Sequence, residues 1–177
     1  DSSRLTTFAT CVNQTNYLGC ADLIAWNKYF NWNDGQQIGS FMDKVKADSQ
    51  NYPVGVSEYG FGGSIHQHRC PINESKASLG RLHPEEFQAI SHEKNWEALA
   101  ERSYLWTKFI WVFADFQSVI RKEGDRDGMN DKGLVTYDRQ IKKDAFYFYK
   151  ANWNAEPMLH LCDSRFTERI YPITSIK

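Results

Sequence analysis

Apolar residues run along this chain in short unbroken stretches, with helical periodicity between them. Leu5 to Cys11 predicts a first strand and Asp22-Leu23-Ile24-Ala25-Trp26-Asn27 a second. Both are mostly apolar rather than alternating, as in a parallel sheet covered on two faces. Ile38, Phe41, Met42 and Val45 then fall at i, i+3, i+4 and i+7, which predicts an amphipathic helix to about Ser49, stopped by Asn51-Tyr52-Pro53. A third strand, Pro53 to Gly60, closes on Glu58, and the long polar stretch Gly62 to Arg81 follows without a period. Pro84 opens a helix to about Arg102, with Glu85 and Glu86 suited to the positive end of its dipole. Leu105 to Phe113 reads as a fourth strand, Ser118 to Lys132 as a charged loop, and Gln140 to Asn152 as a helix with Ile141, Ala145 and Phe148 on one side.

Strands alternating with helices imply an α/β fold with a parallel sheet and right-handed crossovers. Four such units amount to half a (β/α)8 barrel, and the 177 residues fall short of the roughly 250 that a whole one needs. The expected fold is therefore half of such a barrel over residues 1–155. After Glu156-Pro157 the pattern turns β-rich: Met158-Leu159-His160-Leu161-Cys162 reads as a strand and Tyr171 to Lys177 as the start of another, an unfinished module over residues 156–177. A half barrel would leave open sheet edges, which invite the remaining half or a second copy of the chain.

A net charge of -1, with 41% hydrophobic and 24% charged residues, gives no electrostatic reason to bind nucleic acid or an anionic membrane. No stretch approaches the roughly 20 apolar residues of a membrane span, and Asp1-Ser2-Ser3-Arg4 lacks signal-peptide organisation. Cys11, Cys20, Cys70 and Cys162 form no CxxC pair, so they read as free thiols rather than a disulfide framework or zinc site. Six Trp and nine Tyr change the picture more, because aromatic faces stack on sugar rings as readily as they fill cores.

The strand-end Glu58 is the leading candidate for chemistry, because barrel enzymes build their sites at the C-terminal ends of strands. Retaining glycoside cleavage uses two carboxyl groups, a nucleophile and a general acid, and Glu58 fits the first. The alternative is a solvated or salt-bridged glutamate. His66 and His68 follow the Gly62-Gly63 turn and read as solvated, and Asp125-x-Asp127-Gly128 as an ordinary Asp-Gly turn rather than a calcium loop. No metal site and no cofactor are expected.

Four segments in order carry a resemblance: Asn27-Lys28-Tyr29-Phe30-Asn31-Trp32, Ser57-Glu58-Tyr59-Gly60, Trp111-Val112-Phe113-Ala114-Asp115-Phe116, and the run Gly128 to Arg139 that contains Asn130-Asp131-Lys132-Gly133. Together, from about Leu5 to Pro157, they resemble the C-terminal half of the catalytic barrel of glycoside hydrolase family 2, which includes β-galactosidases and β-glucuronidases. The last 20 or so residues resemble the entry to the β-sandwich that follows that barrel.

The resemblance implies a retaining β-glycosidase with Glu58 as nucleophile and Tyr29 hydrogen-bonded to it. It implies Trp111 as the floor of the sugar subsite, Asn27, Trp32 and Asp115 around the same pocket, and Asn130 and Lys132 as a pair suited to a substrate carboxylate. Trp111 and Tyr29 are open to the alternative of core aromatics, and Asn130-x-Lys132 to that of a surface turn. Two departures stand out. Val112 occupies a position where relatives often carry Asn, and no Asn-Glu pair ends a strand; Asn73-Glu74 lies in the long loop. The general acid/base is thus expected outside these residues. The expected substrate is a terminal β-D-galactoside, with a β-glucuronide, or a non-catalytic carbohydrate-binding role, as the alternatives.

Overall fold

The computed structural model describes residues 3–13, 16–30, 37–70 and 80–168. The elements in order are β1 (Thr7–Thr10), β2 (Leu23–Asn27), α1 (Ile38–Asp48), β3 (Val54–Tyr59), α2 (Glu85–Ala100), β4 (Lys108–Ile110), β5 (Phe116–Gln117), β6 (Met129–Asn130) and α3 (Asp144–Trp153). The chain divides into two compact units, Asp1–Gly60 with Lys94–Trp111, and Phe61–Glu93 with Val112–Lys177.

The first unit holds a parallel sheet in the order β1-β2-β3-β4. This is the mixed α/β, parallel-sheet class that the unbroken apolar runs predict. Trp26, Ile24, Val54 and Val56 are buried, as are Phe41, Met42 and Val45 of α1, so the i, i+3, i+4, i+7 face is the buried one. Gly55 has a specific reason to lack a side chain: a Cβ there would meet Thr107 Cγ2 at 2.7 Å and Trp106 Nε1 at 2.9 Å. That close approach lets the Trp106 indole donate to the Ile24 carbonyl at 3.0 Å. The strand read over Leu105 to Phe113 is shorter, Lys108–Ile110, and its apolar flanks lie in bends and irregular backbone.

The second unit is built on α3, the first half of α2 and a two-stranded antiparallel ribbon, β5-β6. β6 lies within the stretch read as loop; at two residues it is too short to carry a period. α3 starts at Asp144, later than the predicted Gln140, because Lys142 is still bridged antiparallel to Val135 and Lys143 keeps an extended backbone. Met158 to Cys162 is not a strand. Leu159 and Leu161 are 90% and 58% exposed, and the backbone there forms no ladder. The segment is tied down by its polar residues, through His160 to Asp144 at 2.9 Å. Tyr171 to Lys177 lies outside the described residues.

Candidate active site

Parallel pairing sets the place of Glu58 in the first unit. Asn27, the last residue of β2, is in register with Glu58, after a shift in the ladder between Trp26 and Asn27. Lys28 N–H continues the pairing to the Glu58 carbonyl at 2.8 Å, and Trp111 N–H does the same for Tyr59 at 2.8 Å. Three sequence-predicted residues, Asn27, Glu58 and Trp111, therefore stand at the C-terminal ends of adjacent parallel strands. The Glu58 side chain is half-buried. The Tyr29 hydroxyl donates to its Oε2 at 2.5 Å. Among the described residues of this unit, Oε1 takes no such bond.

Asn27 and Tyr29 thus have different tasks. The Asn27 side-chain carbonyl accepts from the Ser57 hydroxyl at 2.6 Å, locking the residue before the carboxylate, while Tyr29 touches the carboxylate itself. Between them, Lys28 turns its ammonium into the protein. It donates to the Cys11 carbonyl at 2.7 Å and to the Asn13 side chain, and lies 4.7 Å from the Phe41 ring centre. Burial lowers its pKa. Trp111 is half-buried, and Trp32 lies outside the described residues.

Asp115, Asn130 and Lys132 belong to the second unit. Asp115 is mostly buried and paired with Lys143, whose ammonium lies 2.8 Å from Oδ1. The Gly133 N–H donates to the same oxygen at 2.8 Å. Burial outweighs both partners and pushes the Asp115 carboxyl up to about 6. Asn130 is buried, and its side-chain carbonyl accepts from the Lys132 N–H at 3.1 Å. That bond folds Asn130-Asp131-Lys132 into an Asx-type turn. The Lys132 ammonium lies 3.9 Å from Glu123, and burial lowers its pKa. A cleft of about 500 Å³ in this unit is lined by Asp115, Asp131, Tyr137 and Ile141 among others.

Other polar residues are placed differently from their sequence reading. His68 is not a solvated loop histidine: its Nδ1 lies 2.6 Å from Glu86 Oε1 and its ring stacks on Phe166. Glu85 and Glu86 are buried acceptors as well as first-turn acids. Glu85 is bonded by Arg165 and by Asp144 N–H, and burial raises the Glu86 pKa. Asp125 accepts from the Ser64 hydroxyl at 2.7 Å, Asp127 pairs with Arg81, and Gly128 supplies the positive φ of a turn. The four cysteines are free thiols. Sequence spacing does not reveal that Asp144, His160 and Cys162 converge, with one ligand atom from each within 4.8 Å of the others. The Asp144 carboxylate is already engaged there, by His160, Arg165 and the Asp163 N–H.

Comparison with known proteins finds similarity to glycosidases. A β-glucuronidase of Bacteroides fragilis is 43% identical over 97% of this chain, which covers 25% of that protein. Among solved structures, an FMN-binding β-glucuronidase from Faecalibacterium prausnitzii L2-6 superposes with a TM-score of 0.83 at 35% identity, over 96% of this chain and 26% of that one. A B. fragilis structure assigned provisionally as a β-galactosidase gives 0.85 at 27% identity, over 96% and 26%. A Ruminococcus gnavus β-glucuronidase solved with D-glucuronic acid gives 0.67 at 28% identity, over 85% and 26%. No family model matches the chain. The relatives are glycoside hydrolases, and this chain spans about a quarter of their length.

Proposed function

We propose that this chain is the C-terminal half of the (β/α)8 catalytic barrel of a retaining family 2 β-glycosidase, followed by the start of a β-sandwich, and that its substrate is a β-glucuronide. The observation that carries the reading is Glu58 at the end of a parallel strand, with the Tyr29 hydroxyl 2.5 Å from Oε2. Tyr29 orients the carboxylate and leaves the other oxygen to attack the anomeric carbon, giving a glycosyl-enzyme. A general acid outside these residues protonates the leaving oxygen and later activates water. Asn130 and Lys132 receive the substrate carboxylate; a lysine ammonium beside an amide side chain is suited to an anionic group. The names of the relatives support the glucuronide over the galactoside that sequence alone favoured. The β-galactosidase reading keeps one support, the B. fragilis structure assigned to that activity.

The test uses a protein of the relatives' full length that carries this chain, assayed on 4-nitrophenyl β-D-glucuronide and β-D-galactoside. Glu58→Gln is expected to lower kcat by about 10³-fold or more, as loss of a nucleophile does. Lys132→Ala is expected to raise the KM for the glucuronide and leave the galactoside unchanged. Galactoside turnover that exceeds glucuronide turnover and ignores Lys132→Ala would restore the galactosidase reading. Unchanged turnover in Glu58→Gln, with ligand still bound, would make the chain part of a carbohydrate-binding module.

A further inference from the structure

Residues 130–133 are held at nearly every polar atom. The Asp131 carbonyl accepts from the Lys143 ammonium at 3.0 Å and from Gly63 N–H at 3.1 Å. Both Asp131 carboxylate oxygens face His83 Nδ1, at 2.8 and 3.0 Å. The Lys132 carbonyl accepts from Val112 N–H, and Gly133 N–H is held by Asp115, itself bridged to Lys143. His83 and Asp131 are each 6% exposed and Lys143 1%. The backbone comes in so close that a Cβ on Gly62 or Gly124 would fall under 3.0 Å from His83 or Asp131, and one on Gly133 under 3.0 Å from Asp115.

Buried ion networks of this kind are poor stabilisers, since well-packed apolar residues of similar volume often do as well or better. Their product here is a direction. From residue 130 to residue 135, Lys132 alone is not buried. Beside the pinned Asp131, the Lys132 side chain is 16% exposed and its ammonium lies 3.9 Å from Glu123.

We propose that His83, acting through Asp131, is a positioning residue for the Lys132 ammonium and so a determinant of specificity for anionic sugars. The inference rests on the reading of Lys132 as the carboxylate-binding residue. His83 itself touches no substrate. It donates to Asp131 and fixes the turn that aims Lys132, while Lys143 holds the same turn from its carbonyl side.

A double-mutant cycle in a protein of full length tests this. His83→Ala is expected to raise the KM for 4-nitrophenyl β-D-glucuronide by about tenfold, with kcat held within about threefold. His83→Asn, whose amide N–H can stand where Nδ1–H stood, is expected to recover most of that loss. In a Lys132→Ala background His83→Ala should cost nothing further, because residues acting through one contact are non-additive. An equal loss from His83→Ala with and without Lys132 would overturn the proposal, as would a loss confined to kcat. If Lys132→Ala alone leaves the glucuronide KM unchanged, the reading of Lys132 fails first and takes this inference with it. Should His83→Ala not fold, Asp131→Asn, which keeps the shape and weakens the pair, carries the same cycle.

Discussion

Glu58 in the first unit and the Glu85–Asp144 pair in the second are carboxylates used in opposite ways. In the first, Glu58 stands half-buried at a strand end, with Tyr29 on Oε2 and no such bond to Oε1 among that unit's described residues. In the second, Glu85 and Asp144 are each 2% exposed, and all four of their oxygens are engaged. Arg165 bridges both acids, Asp144 N–H donates to Glu85, and His160 and Asp163 N–H complete Asp144. A carboxylate that is to attack carbon must keep an oxygen available and tolerate a change of charge; one that braces a fold does neither. The difference is therefore in how completely the surroundings satisfy the group, and it sorts acids that look alike in sequence.

The largest effect on stability is expected where satisfaction is complete. Arg165→Ala leaves Glu85 and Asp144 buried without their cation, and breaking such a network from one side costs about 3–5 kcal/mol. Denaturant unfolding should show it as a lower midpoint. A loss below about 1 kcal/mol would place these acids in the same class as Glu58 and remove the contrast.

A smaller effect comes from the buried His92, whose Nδ1 lies 2.9 Å from the Tyr149 hydroxyl. Burial, and secondarily the charge of Lys143, pushes its pKa down to about 3 from an ordinary 6.5. The unfolded chain therefore binds the extra proton more readily between those values. His92 contributes full stability above about pH 6.5 and loses it as pH falls toward 3, on the order of a few kcal/mol across the window. Asp115, pushed up to about 6, works the other way: its contribution is present at low pH and is lost as pH rises from about 4 through 6. His92→Gln, which keeps a hydrogen-bonding partner for Tyr149, should flatten the acid fall in thermal midpoint. An acid limb left as steep as before would show that His92 is not its source.

Much of this was legible in sequence because it is local. The face of α1, the unbroken runs of β2 and β3 and the strand-end position of Glu58 need only a dozen residues of context. What escaped is long-range. Glu85 and Glu86 have the composition of first-turn acids, and nothing nearby announces that Arg165 lies across from Glu85 or that Glu86 receives His68. The apolar look of Met158 to Cys162 concealed that its anchor is polar, at His160, while Leu159 points to solvent. The pinning of Asp131 by His83 and Lys143 is invisible for the same reason. The pair of Tyr29 with Glu58 was expected from resemblance alone; spacing would not have suggested it.

The smallest effect on stability is the most informative about the first unit. Tyr29 is 40% exposed, so Tyr29→Phe removes a hydroxyl and little packing, and its cost to folding should stay within about 0.5–1 kcal/mol. Its hydrogen bond to Glu58 lies at a partly exposed site, where exchange with water offsets most of its worth to folding. If that bond orients Glu58 for attack, kcat in a protein of full length should fall by about 10- to 100-fold with little change in KM. Catalysis and stability would then part company at this residue, whereas Arg165→Ala would move stability first. A fall in stability matching the fall in kcat would instead make Tyr29 a brace, and Glu58 one more satisfied carboxylate.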